Sequence, residues 1–476
     1  MRNLTMMTDL YQLTMMSGYL HHGMQHNRAC FDLFYRKRGD MTAYAVAAGL
    51  EQAIEYVQNL RFTQEDIAYL RSLSIFEESF LEYLSTFRFT GQILAVPEGT
   101  VVFPYEPIMR VIAPVMEAQL LETALLNIIN HQTLIATKSA RVVQAARGDQ
   151  VLEFGLRRAQ GPDAGIYGAR AAIIGGCQAT SNVLTGQMFH IPIGGTHAHS
   201  WVMSFPDELT AFRAYAEVFP ANCMLLVDTY DTLGSGVPNA ITVFNELRAK
   251  GYEPVGIRLD SGDLAFLSRQ ARRMLDDAGF PKARIFASGD LDEEVIWDLK
   301  AQGAAIDVWG VGTRMITSMD NPALGGVYKL SAEESNGVFV PRIKISENPE
   351  KVTNPGVKQL YRFYDKKNGK ALADLISLED EDFSSGEPLE IFDPENTWKR
   401  MTLCEYEARK LLVPIFEDGR LVYHSPALLD IASYARRELD TFWEEYRRLN
   451  RPHRYKVDLS EKLYTLKQEL LSVRCR

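Results

Sequence analysis

The 476-residue sequence predicts an α/β protein, with an irregular (β/α) barrel and a second, α+β domain formed mainly by the N-terminal segment. Two observations lead to this fold class. From about residue 150, short apolar strands alternate with helices that end at glycines, which is typical of parallel βα units. The stretch 130–330 is also about 200 residues long, close to the size of a small eight-stranded barrel.

Strand and helix patterns are mixed in the first third of the chain. Apolar spacings of three and four predict helices, and apolar runs bounded by Gly and Pro predict strands. The predicted helices are 12–24, 45–60 and 115–147, and the predicted strands are 29–37, 92–97 and 100–112. We therefore expect an α+β domain over 1–130, followed by the barrel domain over 131–335.

Within the barrel domain, each predicted strand ends in polar or small residues that open the next helix. Asp and Ser stand where helices begin, and glycines such as Gly251 and Gly279 stand where they end. Because the carboxyl ends of barrel strands face one mouth, we expect the strand-end residues to meet there. They are Arg157, Thr180–Asn182, His197, His199, Asp228, Asp231, Arg258, Asp260, Ser288–Asp290 and Gly310–Thr313.

The C-terminal segment, 336–476, is more polar than the barrel domain. It closes with two amphipathic helical patterns, near 428–449 and 460–473. We expect this segment to pack back on the N-terminal domain.

Composition and charge exclude several classes of protein. With 46% hydrophobic and 24% charged residues, the chain has the balance of a globular protein. A net charge of −10 argues against nucleic acid as a partner. No apolar run approaches the roughly 18 residues of a membrane span, and Asp9 interrupts what would be the apolar part of a signal peptide. We expect a cytoplasmic protein that binds no membrane.

Two glycine-containing turns, Ser288-Gly289-Asp290 and Gly310–Thr313, follow neighbouring predicted strands. Small residues let backbone N–H groups approach a ligand, and the N-terminus of a helix favours an anion. Together with Arg157 and Arg258, the turns predict a phosphorylated ligand. Taken singly, each turn could simply join a strand to a helix.

Four carboxylates stand near these turns, those of Asp228, Asp231, Asp260 and Asp290. They could accept ribose hydroxyls or help to hold Mg²⁺, which uses few protein carboxylates and keeps several waters. The alternative for each is a helix N-cap, and Asp290 in particular has the pattern of a cap.

Two histidines, His197 and His199, lie in the segment GGTHAHSW and would face the same side if it were a strand. Three interpretations stay open. The pair could bind a metal, although no spacing indicates further ligands. Either residue could be a structural histidine. One could be a nucleophile or a general acid–base that takes up a phosphoryl group and passes it on.

The sequence gives weaker evidence for other classes of enzyme or binding protein. No GxxxxGK[ST], dinucleotide-type GxGxxG or GxSxG motif is present. The segment 225–236 loosely resembles the acidic loop of the common phosphoribosyltransferase fold, but it lacks paired acids. A phosphosugar isomerase or aldolase would need a Lys or Glu at a strand end, and none is evident there. A non-catalytic ligand sensor is the third alternative, although a sensor would not need His199.

Six motifs in consistent order resemble the nicotinate phosphoribosyltransferase family. They are TDLYQLTM (8–15), FGLRRAQGPD (154–163), GGTHAHSWVMSF (194–205), RLDSGDL (258–264), ASGDLDE (287–293) and GVGTRM (310–315). The resemblance implies condensation of nicotinate with 5-phosphoribosyl 1-diphosphate to nicotinate mononucleotide and pyrophosphate, for NAD biosynthesis. It also implies Mg²⁺, coupling to ATP hydrolysis through a phosphohistidine, and a homodimer with a shared active site.

The resemblance further implies roles for particular residues. Tyr11, reaching in from the partner subunit, and Phe154 would lie on the two faces of the pyridine ring, although either could be a core aromatic. Arg157 would pair with the nicotinate carboxylate, with Arg158 as a rival and an ordinary ion pair as the alternative. His199 would be the phosphohistidine, and Asp228 would lie beside the diphosphate. Arg258 and Asp260 would hold phosphate and ribose. The 5-phosphate would be bound by Ser288, Gly289, Asp290, Gly310, Gly312 and Thr313.

Ser181 is the candidate for substrate choice. The related nicotinamide-using enzymes have an Asp near Thr180–Asn182, where it can accept from the amide NH2 group. An Asp there would repel the carboxylate of nicotinate, so its absence favours the acid.

Overall fold

A computed structural model describes residues 3–36 and 43–474, so Lys37, the end of the predicted strand 29–37, lies outside the described residues. The chain divides into two compact units, one of Met1–Leu134 with Ala323–Arg476 and the other of Ile135–Pro322. Within the described ranges, no helix is both long enough and apolar enough to cross a membrane.

Helices and strands are mixed in the N-terminal part of the first unit, as the sequence patterns predict. The predicted helix 45–60 is shorter, because Ala45–Val46 forms a strand and the helix begins only after Gly49, whose φ of 103° turns the chain. The elements are α1 (Leu10–His21), β1 (Arg28–Tyr35), β2 (Ala45–Val46), α2 (Leu50–Gln58), α3 (Gln64–Ser72), α4 (Glu78–Ser85), β3 (Gln92–Ala95), β4 (Val101–Val102), β5 (Met109–Pro114) and α5 (Val115–Ala145), whose residues from Ile135 onwards belong to the second unit.

Alternating strands and helices follow in the second unit, and polar side chains cap several of the helices. Asp263, for example, accepts the Phe266 N–H at 2.9 Å and starts a 14-residue helix. The elements are β6 (Gln150–Glu153), α6 (Pro162–Ile174), β7 (Ala179–Thr180), α7 (Val183–Phe189), α8 (His199–Met203), α9 (Glu208–Val218), β8 (Met224–Leu226), α10 (Val237–Ala249), β9 (Gly256–Leu259), α11 (Leu264–Asp277), β10 (Arg284–Ser288), α12 (Glu293–Ala301), β11 (Val308–Val311) and α13 (Thr313–Ile316).

The C-terminal segment consists largely of strands, whereas the sequence pattern predicts only its two helical stretches. The first unit resumes before this segment with β12 (Gly326–Ser335). The elements of the segment are β13 (Val338–Pro341), β14 (Lys358–Asp365), β15 (Ala371–Leu378), β16 (Leu389–Phe392), β17 (Arg400–Leu403), β18 (Tyr406–Lys410), β19 (Val413–Glu417), β20 (Arg420–Leu421), α14 (Leu428–Thr441), α15 (Glu444–Arg447), β21 (Val457–Leu459) and α16 (Glu461–Arg474).

Strands from both ends of the chain build the core of the first unit. One sheet has the order β13-β12-β1-β5-β3-β19-β20, and in it β1 pairs antiparallel with both β5 and β12. Phe31 stacks on Tyr328 in this sheet, with ring centroids 4.9 Å apart. A second sheet, β18-β14-β15-β21, holds the fully buried Arg362, which forms ion pairs with Asp374 at 2.6 Å and Glu438 at 3.1 Å.

A parallel sheet of the order β7-β6-β11-β10-β9-β8 forms the core of the second unit. Its strands are nearly continuous apolar runs, as expected where helices cover both faces. The register sets Thr180 opposite Glu153, Glu153 opposite Val311, and Ser288 opposite Gly310. The carboxyl ends of the strands therefore form one edge, called the carboxyl edge below. Closure of this sheet into a barrel stays a prediction.

Candidate active site

Arg258, Asp260 and Ser288 form a hydrogen-bonded network at the carboxyl edge. The Arg258 guanidinium donates from Nε to Ser288 Oγ at 2.8 Å and from Nη2 to Asp260 Oδ1 at 2.7 Å. Nη1 donates to Thr196 Oγ1 at 2.8 Å, and the Ser288 hydroxyl donates to Asp260 Oδ1. Two neighbouring strands, β9 and β10, thus hold a guanidinium and a carboxylate in fixed positions.

His199, the first residue of α8, faces two carboxylates. Its Nε2 lies 3.8 Å from Asp228 Oδ1 and 3.8 Å from Asp260 Oδ2. Its Nδ1 lies 3.1 Å from Thr229 Oγ1, and this contact orients the ring. With 38% of its side chain exposed, His199 is accessible to a ligand.

The Asp228 carboxylate organises the loop that follows β9. Its Oδ2 accepts the Asp260 N–H at 2.8 Å and the Ser261 hydroxyl at 2.7 Å. Its Oδ1 is buried and accepts no hydrogen bond in the part of the chain that the structure describes. A buried carboxylate oxygen normally has a partner, so Oδ1 is a natural place for a donor or a cation supplied by a ligand.

Asp260 is ionised at neutral pH. Burial raises the pKa of its carboxyl, but the Ser288 hydrogen bond and the Arg258 charge outweigh burial, and the pKa lies below its ordinary value. The formal charges of Arg258, Asp228 and Asp260 add up to one negative charge, so the site as it stands favours a ligand that brings a cation.

His197 does not share a face with His199, because the segment is not a strand. His197 is 8% exposed, and its Nε2 accepts the Leu226 N–H at 3.2 Å. Its ring packs edge-on against Tyr215, with centroids 4.7 Å apart. Burial lowers the pKa of His197 to about 4, and the Arg258 charge adds to this effect. His197 is therefore a neutral, structural histidine.

The turn Ser288–Asp290 brings the backbone of Gly289 close against that of Asp260. Gly289 has a φ of +99°, and a Cβ there would overlap the Asp260 carbonyl oxygen, so the position requires glycine. Asp290 is exposed and does not cap α12. That cap is Asp292, whose carboxylate accepts the Val295 N–H at 2.8 Å. The cap interpretation of Asp290 is therefore wrong, whereas Asp231 does act as a cap, accepting the Gly234 N–H at 2.9 Å.

The turn Gly310–Thr313 lies beside two aromatic rings. A Cβ on Gly310 would lie 2.7 Å from the Phe286 ring and 3.0 Å from the Phe154 ring. A Cβ on Gly312 would lie 3.0 Å from the Phe154 carbonyl oxygen, and Thr313 starts α13. Because these positions are glycines, the loop after β6 can approach the Gly310–Thr313 turn closely.

Phe154 and Arg157 lie in that loop. The half-buried Phe154 ring stacks on Phe286 with centroids 5.5 Å apart, and the Arg258 guanidinium carbon lies 5.6 Å from its centroid. Arg157 and Arg158 are exposed on a 3₁₀ turn, Leu156–Arg158. Neither guanidinium forms an ion pair within the described residues, so the structure does not support the ion-pair alternative for Arg157.

Glu153, which ends β6, is a residue that the sequence analysis missed. Its side chain is fully buried; Oε2 accepts the Thr180 hydroxyl at 2.6 Å, and Oε1 accepts the Gly155 N–H. Burial raises the pKa of its carboxyl. The expectation that no Glu stands at a strand end is thus wrong, and its position directly before FGLRR could have indicated it. Ser181 lies beside it, donating its N–H to the Glu153 carbonyl at 2.9 Å.

Tyr11 belongs to the first unit, on α1. Its side chain is 47% exposed, and its hydroxyl lies 3.3 Å from Glu122 Oε2. This exposure contradicts the alternative of a core aromatic. Stacking of Tyr11 on a ligand in a partner subunit stays a prediction.

Comparison with known proteins decides the family. Three family models match the chain: the nicotinate phosphoribosyltransferase N-terminal domain at 6–130, the family itself at 150–379, and its C-terminal domain at 357–467. A nicotinate phosphoribosyltransferase of Bacillus subtilis (strain 168) is 51% identical, over 98% of this chain and 95% of that protein. The chain belongs to the nicotinate phosphoribosyltransferase family.

Two further similarities support this assignment. The nicotinate phosphoribosyltransferase of Homo sapiens is 33% identical over 98% of this chain and 96% of that protein. The crystal structure of human nicotinic acid phosphoribosyltransferase matches with a TM-score of 0.84 and 31% identity, covering 98% of this chain and 99% of that one. The mixed α/β fold is therefore shared along almost the whole length.

Proposed function

We propose that this chain is a nicotinate phosphoribosyltransferase, which condenses nicotinate with 5-phosphoribosyl 1-diphosphate to nicotinate mononucleotide and pyrophosphate, for NAD biosynthesis in the cytoplasm. Relatives with this name match it over nearly their whole length. The observation that carries the proposal is the network of Arg258, Asp260 and Ser288 beside His199. This network places a guanidinium, a carboxylate and an imidazole next to the two turns that are predicted to bind phosphate.

Phe154 and Arg157 are the residues proposed for nicotinate. Phe154 presents an aromatic surface beside Arg258, on which a pyridine ring could stack. The planar guanidinium of Arg157 suits a bidentate contact with the nicotinate carboxylate. Ser181 adds no negative charge next to that carboxylate, which supports nicotinate over nicotinamide.

Arg258 and Asp260 would act on the sugar and its diphosphate. Arg258 uses three of about five N–H donors within the chain, so two remain for phosphate oxygens. In the reaction, the bond from ribose C1 to the diphosphate oxygen breaks and its electron pair leaves with the diphosphate, while the pyridine nitrogen forms the new bond to C1. Asp260 would stabilise the positive charge that develops on the sugar ring, and alignment of the two substrates supplies much of the rate.

His199 is the residue proposed for coupling to ATP. If Nδ1 keeps its proton and donates to Thr229, Nε2 has a free lone pair. The bond between the γ-phosphorus and the bridging oxygen of ATP breaks, a phosphorus–nitrogen bond to Nε2 forms, and ADP leaves; water later releases phosphate. The phosphoryl group adds about −1.5 to −2 charges beside Asp228 and Asp260, by analogy with hydroxyl phosphates. We expect this charge to tighten substrate binding, either by ordering a loop or by positioning the cation.

Mg²⁺ fits this donor set together with substrate oxygens. Asp228 Oδ1 has no donor, and the formal charge of the site is negative. The described residues contain no cluster of three His, Cys, Asp or Glu side chains arranged for a metal ion, so diphosphate oxygens and waters would supply most ligands. When bound, the cation would neutralise the leaving diphosphate.

The proposal also includes a homodimer, in which Tyr11 of the partner subunit covers the pyridine ring. The exposure of Tyr11 on α1 supports this role. Light scattering tests the dimer, and in mixtures of Tyr11→Ala and Arg157→Ala subunits a shared site predicts partial recovery of activity. Recovery fails if each site is built from one chain.

The first experiment measures product from 5-phosphoribosyl 1-diphosphate and Mg²⁺ with nicotinate or nicotinamide, each with and without ATP. We expect nicotinate mononucleotide, at a rate strongly raised by ATP. His199→Ala should lose ATP stimulation and labelling by γ-phosphate-labelled ATP, but keep slow transfer. The control His190→Asn changes an exposed histidine whose φ of +53° suits Asn. Full ATP stimulation of His199→Ala would contradict the role of His199, and product from nicotinamide alone would contradict the substrate assignment.

A further inference from the structure

Glu153 is a fully buried carboxyl that no step of the proposed reaction uses. Both of its oxygens accept from neutral donors, Oε2 from the Thr180 hydroxyl at 2.6 Å and Oε1 from the Gly155 N–H. No Lys, Arg or His side chain of the described residues forms an ion pair with it. Burying a carboxyl without a cationic partner is costly, so a purely structural position would be better filled by an apolar residue.

The contacts of Glu153 connect the two loops proposed to hold nicotinate. β6 pairs with β7 through Glu153 opposite Thr180, and the Ser181 N–H donates to the Glu153 carbonyl at 2.9 Å. On the other side, Oε1 holds the N–H of Gly155, the residue directly after Phe154. The Glu153 side chain therefore links Thr180, the residue before Ser181, to Gly155, the residue after Phe154.

Thr180 is fully engaged by this arrangement. Its single hydroxyl proton goes to Glu153, and its Oγ1 accepts the Asn182 N–H at 3.0 Å. Thr180 therefore has no proton left to offer a ligand. Recognition of a carboxylate at this place is left to the groups that the loops present, the Ser181 side chain and the Arg157 guanidinium.

We propose that Glu153 is a positioning residue for substrate specificity. It holds the Phe154–Arg157 turn against Thr180–Ser181, so that one rigid surface receives the carboxylate-bearing pyridine ring. This inference rests on the proposed function, because it assigns nicotinate to these loops. It separates the pyridine side of the site, which Glu153 controls, from the ribose–phosphate side, which Arg258 and Asp260 control.

The test compares Thr180→Val with Thr180→Ser. Valine leaves Glu153 Oε2 without its donor, whereas serine keeps the hydroxyl. For Thr180→Val we expect the KM for nicotinate to rise roughly tenfold, with the KM for 5-phosphoribosyl 1-diphosphate within about twofold of wild type. The preference for nicotinate over nicotinamide in competition should fall as well, and Thr180→Ser should behave like wild type.

Glu153→Gln is the second variant, because it keeps the side-chain volume but leaves one acceptor oxygen, so that either the Thr180 hydroxyl or the Gly155 N–H loses its acceptor. It should raise the KM for nicotinate selectively too. The matched control is Ser268→Ala, which removes a buried hydroxyl that accepts the Ala305 N–H at 3.1 Å, before β11 and so at the opposite edge of the sheet. It should change thermal stability but neither KM.

Several outcomes would overturn the inference. Both KM values could rise together in Thr180→Val and Glu153→Gln, or neither could change. Failure of both variants to fold, while Ser268→Ala folds, would show that Glu153 is purely structural. A wild-type protein that forms no mononucleotide would instead refute the proposed function itself, and with it this inference.

Discussion

Acid should destabilise the second unit through His197. Its Nε2 accepts the Leu226 N–H near the end of β8, two residues before Asp228. Protonation of that nitrogen would break the hydrogen bond and place a positive charge in a buried site close to Arg258. Burial and this neighbouring charge lower the pKa of His197 to about 4.

The magnitude follows from the difference between the folded and unfolded chain. An unfolded chain takes up the proton near the ordinary pKa of 6.5, and the folded chain near 4. The contribution of neutral His197 to stability is therefore complete above pH 6.5 and is lost as the pH falls towards 4. This difference in pKa corresponds to about 3 kcal/mol of unfolding free energy, and lowering the pH from 6.5 to 5 should remove about 2 kcal/mol of that stabilisation.

The assay is hydrogen exchange of the segment that contains Leu226, corrected at each pH for intrinsic exchange rates. His197→Gln keeps an acceptor near the same place but cannot titrate, so its protection should depend less on pH than that of wild type. His190→Asn, an exposed histidine, should keep the wild-type dependence. Equal pH dependence in wild type and His197→Gln would refute the reasoning.

The remaining predictions concern ligand contacts. Arg157→Ala should raise the KM for nicotinate by roughly 10-fold or more through loss of a charged hydrogen-bond donor, whereas Arg158→Ala should have little effect. Steady-state kinetics measures both, and the reverse pattern would assign the nicotinate carboxylate to Arg158 instead of Arg157. Ser181→Asp should shift competition between the two pyridines towards nicotinamide, and unchanged selectivity would contradict the charge argument. Gly289→Ala should greatly reduce turnover while the protein stays folded by circular dichroism, because a Cβ would overlap the Asp260 carbonyl; an active variant would show that the loop adapts.

The βα organisation of the second unit could be predicted because it depends on short-range signals. Apolar runs mark the strands, Asp residues such as Asp263 cap helices, and glycines such as Gly251 and Gly279 follow them at positive φ. Parallel strands then bring their carboxyl ends to one edge, which is why Arg258 and Asp260 could be grouped with Ser288 and His199 before their contacts were known.

Features that depend on distant contacts could not be predicted in the same way. The strands of the C-terminal segment find partners far away in sequence, as β19 does with β3. The role of Glu153 depends on Thr180, 27 residues later.

Asp290 and Asp292 are equally good caps by residue type, and the choice between them depends on the left-handed turn at Gly289 and Asp290, which delays the start of α12.

The charge balance of the carboxyl edge has a consequence for the order of binding. Arg258 is already paired with Asp260, and Asp228 keeps a buried oxygen without a donor. A bare diphosphate would therefore meet a site whose formal charge is negative, and a phosphoryl group on His199 would make it more so. Under the proposed function, we expect a cation to accompany each of these groups, because it would offset their negative charge. We thus expect Mg²⁺ to enter together with the diphosphate. Calorimetry should show weak binding of Mg²⁺ alone and tight binding of the magnesium–diphosphate complex. Tight binding of Mg²⁺ alone would mean that side chains assemble into a metal site without the substrate.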